Sequence, residues 1–114
     1  MRRHLLLKLA LRMSQNKIVQ RVALADEDLV RLWLHIGQHD TEAADRYVHR
    51  VIDAHNSLAE FPYRGAPSKT LGDTIRRLVV GDYVTFYDVT PTTVRILRVF
   101  HSREDVDSQF GEIQ

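Results

Sequence analysis

The chain has 114 residues, enough for one hydrophobic core but too few for a second domain with a core of its own. Its 16 Lys and Arg nearly balance 15 Asp and Glu, which excludes a protein that binds polyelectrolytes by bulk charge, although a local basic patch remains open. The absence of cysteine excludes disulfide scaffolds, cysteine-ligated zinc and thiol catalysis, and it suits a reducing cytoplasm.

The N-terminal stretch "MRRHLLLKLALRM" places basic residues before a leucine run, as a signal peptide does. Lys8 and Arg12 interrupt that run, no small-residue cleavage site follows, and the stretch is far shorter than the roughly 20 apolar residues that span a bilayer. Two interpretations stay open: a short basic amphipathic helix, or an upstream start ahead of a native Met13. We favour the second and predict an extension over 1–12 and a single domain over 13–114.

The segment "KIVQRVALA" (17–25) partly alternates between apolar and polar residues and predicts a first strand. The acids Asp26, Glu27 and Asp28 follow, where they suit the capping of a helix N-terminus. The helix then carries an apolar stripe at i, i+3, i+4 and i+7, and Gly37 is expected to end it. The stripe consists of Leu29, Leu32, Trp33 and Ile36.

A second helix is predicted to begin with Asp40 or Thr41 as its cap. Phe61 and Pro62 are expected to stop it, because a residue before proline is disfavoured in helical conformation. The intervening turn is short, so the two helices should form an antiparallel hairpin. The apolar face of the second helix comprises Ala44, Tyr47, Val48, Val51, Ile52, His55, Leu58 and Ala59.

Two prolines and two glycines mark 62–73 as a loop. Three strand-like runs follow at 74–80, 83–89 and 93–100, joined by tight turns. The predicted fold class is therefore α+β with the order β-α-α-β-β-β, in which a helical hairpin packs on one face of a mainly antiparallel sheet.

The last predicted strand is nearly continuous in apolar residues and is expected in the interior of the sheet. Strict alternation puts its residues on two faces, and we expect its arginines and the charged cluster after it on the uncovered face and rim. The predicted faces are Arg95, Leu97, Val99 and His101 on one side, and Val94, Ile96, Arg98 and Phe100 on the other.

Four segments together resemble the RelE/ParE superfamily of bacterial type II toxins, and within it the ParE branch. They are "ADEDLVRLWLHI", "AADRYVHRVIDAHNSLAEFPYRG", "RRLVVGDYVTFYDV" and "VRILRVFHSRED", in the family's order and spacing, from about Ile18 to Asp105. The resemblance implies the RelE/ParE-like fold and a cytoplasmic toxin that a cognate, ParD-like antitoxin neutralises, with a role in plasmid stabilisation. It implies no cofactor and no metal.

The resemblance leaves two targets open. ParE-like toxins act on DNA gyrase, whereas RelE-like relatives cut mRNA in the ribosome. RNA cleavage needs a proton acceptor, a proton donor and cations facing the phosphate. The candidates for these roles, or for contacts with a target, are Arg77, Tyr87, Arg98, His101 and Arg103.

One position argues against the nuclease. RelE-like nucleases commonly have an arginine directly after the first tyrosine of "GYRxxY", where this chain has Val84, and Lys69 is the only lysine in the preceding loop. We therefore favour a gyrase poison without catalytic residues. A ribosome-dependent mRNA endonuclease, or an inactive relative that only binds antitoxin, is the alternative.

Each candidate also has a structural interpretation. His101 can bond backbone or Asp105, Arg77 can pair with Asp82 or Asp88, and Tyr87 can be a packed aromatic. Arg98 should either pair internally with a carboxylate such as Asp88 or line a groove. On the groove hypothesis, Arg98→Ala would spare folding and reduce toxicity.

Trp33 is expected in the core between the hairpin and the sheet, so Trp33→Ala should destabilise the fold. His35 and His39 have a spacing that zinc can use, but no third ligand is evident. His55 is expected to be a satisfied histidine in the core or at its edge. A small sheet with one helical hairpin also leaves apolar surface uncovered, which suggests a partner such as the antitoxin.

Overall fold

The computed structural model describes residues 5–7 and 16–104, with the side chain of residue 73 left out. Residues 5–7 are helical and exposed. The predicted extension over 1–12 otherwise lies outside the described residues, as does Asp105.

The domain is an α+β fold with a five-stranded mixed sheet in the order β1-β5-β4-β3-β2. Strand β1 runs parallel to β5, and the other neighbours are antiparallel. This confirms the predicted fold class and the interior position of the last strand. The elements are β1 Ile18–Arg21, α1 Ala23–Gly37, α2 Thr41–Ser57, β2 Ala66–Ser68, β3 Gly72–Val80, β4 Tyr83–Val89 and β5 Thr93–His101.

The boundary between β1 and α1 lies earlier than predicted. The strand ends at Arg21, and the helix begins at Ala23 after an extended Val22 that offers no side-chain cap. Alanine favours helix over strand, so the run Ala23–Ala25 joins the helix. As a result Asp26 lies in the first turn, and Asp28 lies inside the helix rather than at its cap.

The helical hairpin forms as predicted. Helix α1 ends at Gly37, and the Asp40 side chain accepts a 3.0 Å hydrogen bond from the Ala43 N–H to cap α2. Helix α2 already ends at Ser57, four residues before Phe61. Trp33 does not reach the core as expected: its half-buried indole donates a 2.7 Å hydrogen bond to Asp45 Oδ1 and so bridges the two helices.

The hairpin covers one face of the sheet, which we call the helix face. The core lies between them, and its buried members are Ala25, Leu29, Leu32, Val51, Leu58, Leu78, Val80, Tyr83, Tyr87, Val94, Ile96 and Val99. The opposite face, which we call the open face, carries a smaller buried cluster formed by Val84, Phe86 and Phe100.

A bulge at Leu97 changes the predicted faces of β5. Phe86 pairs with Arg98 and Tyr87 pairs with Ile96, so one additional residue of β5, Leu97, lies between the partners of two adjacent β4 residues. Strict alternation therefore fails beyond Leu97, and the prediction was wrong for the second half of the strand. Paired residues share a face, which gives the helix face Val94, Ile96, Val99 and His101, and the open face Arg95, Arg98 and Phe100.

The predicted loop over 62–73 contains the short edge strand β2, which pairs with β3 despite Pro67. Proline is tolerated there because an edge strand has one side without sheet hydrogen bonds. In the part of the chain that the structure describes, no helix is long and apolar enough to cross a membrane.

Candidate functional site

The five candidate residues do not converge. Arg77 lies exposed on the open face, Tyr87 lies in the core, and Arg98 is buried at the edge of β5. His101 and Arg103 lie at the end of β5 by a cleft on the helix face. All five residues belong to β3, β4, β5 or the turn after β5. In the folded chain, however, they lie on opposite faces of the sheet or in the core, so they do not form one site.

Tyr87 is a structural residue and not a surface contact. It is fully buried, and its hydroxyl donates a 2.8 Å hydrogen bond to the Pro62 carbonyl and accepts a 2.9 Å hydrogen bond from the Gly65 N–H. The hydroxyl thus holds the loop after α2, and the tight packing at Gly65 leaves no room for a larger residue there. The expectation of Tyr87 in a catalytic or binding cleft does not fit this position.

Arg98 pairs internally, but with Asp28 of α1 and not with Asp88. Its Nε and Nη2 donate to the two Asp28 carboxylate oxygens at 2.8 and 3.0 Å, and both side chains are almost fully buried. Asp28 Oδ2 also accepts the Val99 N–H at 2.8 Å, and Arg31 completes the set on Oδ1. Because Arg98 is only 6% exposed, its guanidinium is not available as a groove contact.

Sequence reasoning missed the role of Asp28, although a signal was present. Ala25, Asp28, Leu29 and Leu32 share one face of α1, so an acid lies within the apolar stripe. An acid in such a stripe and an arginine in an interior strand require partners, because an unpaired buried charge costs several kcal/mol. The main-chain ladder between β1 and β5 ends where Val22 N–H donates to the Ile96 carbonyl, and Asp28 takes over that edge of β5.

His101 lies at a cleft of about 420 Å³ between α1 and the end of β5, which we call the helix-side cleft. Its Nδ1 accepts a 3.1 Å hydrogen bond from the Arg103 N–H, so the neutral ring carries its proton on Nε2. The ring also meets Tyr83 edge-on, with centroids 5.2 Å apart. The cleft is lined by Asp28, Arg31, Leu32, His35, Tyr83, Val99, His101, Arg103 and Glu104.

Arg77 lines a second groove, of about 440 Å³, which we call the open-face groove. Lys69 and Ser102 contribute polar groups to it, and Val84 and Phe86 form an apolar part of its wall. Asp88 is engaged by Arg95 on the same face, so it does not pair with Arg77 as one interpretation expected. Among the described residues Arg77 has no ion pair, which leaves its charge available to a partner.

Val84 is the position at which RelE-like nucleases commonly have an arginine. Here it is 4% exposed and belongs to the open-face cluster with Phe86 and Phe100. The groove therefore has an apolar surface at the place where that nuclease site would have a cation.

The histidines of the hairpin differ in their burial and in their partners. His35 and His39 are exposed, and no group of three potential ligands occurs in the described part of the chain. His55 is fully buried as expected, with Nε2 2.8 Å from Thr85 Oγ1, but within the described residues its Nδ1 has no partner. Burial, and to a smaller extent the positive charge of Arg21, lowers the pKa of His55 to about 4.

Comparison with known families identifies the chain. The model of the ParE toxin of the type II toxin–antitoxin system parDE matches residues 20–106. The chain belongs to the ParE toxin family. This ParE-family toxin therefore lies within the RelE/ParE superfamily, which confirms the resemblance carried by the four sequence segments.

Some of the similar proteins are named after ParE and others after RelE. The chain is 41% identical over 81 residues to Toxin RelE2 of Caulobacter vibrioides, which covers 70% of this chain and 86% of that protein. The chromosomal ParDE system of P. aeruginosa has a chain with TM-score 0.66 and 18% identity, covering 76% of this chain and 97% of that one. That likeness shows the fold alone.

A second solved structure is the toxin–antitoxin complex RelBE2 from Mycobacterium tuberculosis, with TM-score 0.57 and 27% identity. The match covers 75% of this chain and 91% of the other. Family and fold thus agree, while the target of this ParE-family toxin must be argued from its own side chains.

Proposed function

We propose that the toxin inhibits DNA gyrase by binding it, without catalysing a reaction, and that a ParD-like antitoxin neutralises it. The observation that supports a binding toxin is the separation of the candidate catalytic residues. General acid–base catalysis requires groups within hydrogen-bond reach of the reacting atoms. Arg77 on the open face and His101 on the helix face do not meet this requirement together, and Tyr87 is fully buried.

The apolar position of Val84 supports the same proposal. A cation facing the scissile phosphate stabilises the charge that develops in the transition state, and losing one such donor typically costs about 3 kcal/mol. Val84 instead packs with Phe86 and Phe100. A binding surface does not need a cation at this position, because apolar area and flanking charges suffice for recognition.

The proposed gyrase contacts are Arg77 in the open-face groove and His101 and Arg103 at the helix-side cleft. Arg77 and Arg103 are exposed, and His101 is half-buried. For the antitoxin, the outer face of α1 offers Val30 and Leu34, one turn apart and 60% and 59% exposed. Such a pair suits an amphipathic helix from the antitoxin.

A ribosome-dependent mRNA endonuclease is the second candidate. It is favoured by the 41% identity to a protein named Toxin RelE2 and by the two cations, Lys69 and Arg77, on the open-face groove. In that case the groove would hold the RNA backbone against Lys69 and Arg77.

One experiment separates the two candidates. The antitoxin-free toxin is incubated with gyrase, ATP and plasmid, and in parallel with translating ribosomes. We expect lost supercoiling and protein-linked broken DNA, with intact mRNA. mRNA cleavage with unaffected gyrase would establish the nuclease, and no effect in either assay by a folded chain would indicate an inactive relative that only binds antitoxin.

Arg77→Ala is expected to raise the toxin concentration needed for half-maximal gyrase inhibition about tenfold, the effect of losing a contact of roughly 1.4 kcal/mol. The matched control is Arg46→Ala, which removes an exposed arginine from α2. Equal potency of the two variants would remove Arg77 from the proposed interface.

A further inference from the structure

The helix-side cleft combines an apolar floor with a polar rim. Leu32, Tyr83 and Val99 form the floor and are 2%, 8% and 3% exposed. At about 420 Å³ the cleft is far larger than a single charged group, so a ligand that fills it needs an apolar body as well as polar atoms. The rim consists of polar side chains from α1 and from the end of β5, namely Arg31, His35, His101, Arg103 and Glu104.

Most polar groups at the rim are hydrogen-bond donors. The neutral His101 ring carries its proton on Nε2, because Nδ1 accepts the Arg103 main-chain N–H. The Arg31 side chain is 53% exposed and uses Nη2 for Asp28, so its remaining N–H groups can serve a ligand. The exposed guanidinium of Arg103 adds donors and no acceptor. A ligand that satisfies these groups must therefore supply acceptor atoms.

Tyr83 adds a further donor at the floor of the cleft. Its ring meets the rings of Tyr47 and His101 edge-on, with centroids 5.5 and 5.2 Å apart. Burial raises the pKa of Tyr83, and the positive charge of the nearby Arg31 acts on this pKa in the opposite direction. The hydroxyl therefore keeps its proton at neutral pH and can donate it to an acceptor in the cleft.

The charges of the cleft match a ligand with a single negative charge. Asp28 lines the cleft, but its charge is matched by the buried pair with Arg98. Arg31 and Arg103 then stand against Glu104, so one positive charge is in excess when the histidines are neutral. A carboxylate fits this balance and accepts strong hydrogen bonds from guanidinium groups. A phosphate group, with a charge of about −1.5 to −2, would exceed it.

We propose that the helix-side cleft is a carboxylate site, which takes an acidic side chain of a protein partner together with an adjacent apolar side chain. The carboxylate accepts hydrogen bonds from Arg103 and from His101 Nε2, and the apolar side chain packs on Leu32, Tyr83 and Val99. The inference deepens the proposed function, because it names the group that the target inserts at this cleft. Its test uses no gyrase, so the two proposals can fail separately.

An NMR titration of the antitoxin-free toxin tests the class of ligand. The probes are the blocked peptide acetyl-Leu-Glu-Leu-amide, its glutamine counterpart, free isocaproate and inorganic phosphate. We expect the glutamate peptide to shift the ring signals of Tyr83 and His101 saturably, and the other three probes to bind about tenfold more weakly. Equal binding of the two peptides, or no shift at these rings, would overturn the carboxylate site. Tighter binding of phosphate or of free isocaproate would overturn the assignment to an acidic side chain of a protein.

Arg103→Gln tests the site from the side of the toxin. Because this side chain is exposed, we expect the variant to keep the parent's fold and to bind the glutamate peptide about tenfold more weakly. Arg46→Gln removes an exposed arginine from α2 and should bind the peptide as the parent chain does. The amide spectra recorded in the same titrations check the fold of both variants. Unchanged affinity in Arg103→Gln, or an equal loss in both variants, would contradict the proposed site.

Discussion

Asp28 is the residue on which the edge of β5 depends. Its carboxylate accepts hydrogen bonds from two guanidiniums and one main-chain N–H, and it lies where β1 has ended. It therefore replaces a neighbouring strand for that part of β5 and ties helix α1 to the sheet. This role explains an arginine inside an interior strand without any function at a surface.

The pair predicts a large loss of stability when one member is removed. Arg98→Ala leaves Asp28 with the exposed Arg31 as its remaining ionic partner, and we expect the free energy of unfolding to fall by about 3–5 kcal/mol. This replaces the expectation that the variant spares folding. Urea denaturation measures the change.

Arg95→Ala is the matched control, because its partner Asp88 belongs to a pair at the protein surface. Such pairs contribute about 0–1 kcal/mol. Similar losses for Arg98→Ala and Arg95→Ala would contradict the structural role of the buried pair.

His55 makes stability depend on pH. The pKa of His55 is about 4 in the folded chain against 6.5 for an ordinary histidine, so the unfolded chain binds the additional proton between these values. The stabilisation that comes from this difference in pKa is fully present above pH 6.5, and it is lost from the free energy of unfolding as the pH falls towards 4. A shift of this size corresponds to about 3 kcal/mol.

The test compares unfolding free energies at pH 7 and pH 4.5 for the parent chain, His55→Gln and His49→Gln. His49 is exposed, so its variant should retain the parent's pH dependence. We expect a clearly smaller decrease for His55→Gln. An unchanged decrease would show that His55 is not the group that titrates.

At the scale of the elements, Tyr47 joins α2 to the β3–β4 turn. Its hydroxyl donates a 2.7 Å hydrogen bond to the Val80 carbonyl and accepts a 2.9 Å hydrogen bond from the Asp82 N–H. Gly81, between them, has φ of 60° and lies directly against that hydroxyl. The turn therefore depends on glycine both for its backbone conformation and for space.

Tyr47→Phe should lower the free energy of unfolding by about 1–3 kcal/mol, since two hydrogen bonds are lost and the Asp82 N–H loses its partner. Tyr63→Phe is the control, because Tyr63 is 65% exposed. Thermal melts of the two variants give the comparison. Equal melting temperatures would mean that the Tyr47 hydroxyl does not hold the turn.

Most elements could be predicted from the sequence, because periodicity and the Asp40 cap mark the helical hairpin clearly. The bulge at Leu97 could not, since "VRILRVF" is apolar on both faces and alternation alone then does not fix the register. The candidate functional site was less predictable than the elements, because the positions of its side chains depend on that same strand register. Placing His101 and Arg77 on different faces, and Arg98 beside Asp28, required the register of β5 and the early start of α1.

At the scale of the whole molecule, the sheet separates two surfaces. The helix-side cleft holds His101 and Arg103, while the open-face groove holds Lys69 and Arg77. A target that contacts both must wrap around the end of the sheet near Ser102. This arrangement suits a large protein target better than a compact catalytic centre.

A binding toxin and an enzyme differ in stoichiometry, so the most direct measurement is a titration of antitoxin-free toxin against a fixed amount of gyrase. We predict that protein-linked broken DNA increases with toxin and reaches a plateau once toxin saturates gyrase. No broken DNA at a large excess of folded toxin, together with mRNA cleavage at toxin concentrations far below that of ribosomes, would contradict the proposal.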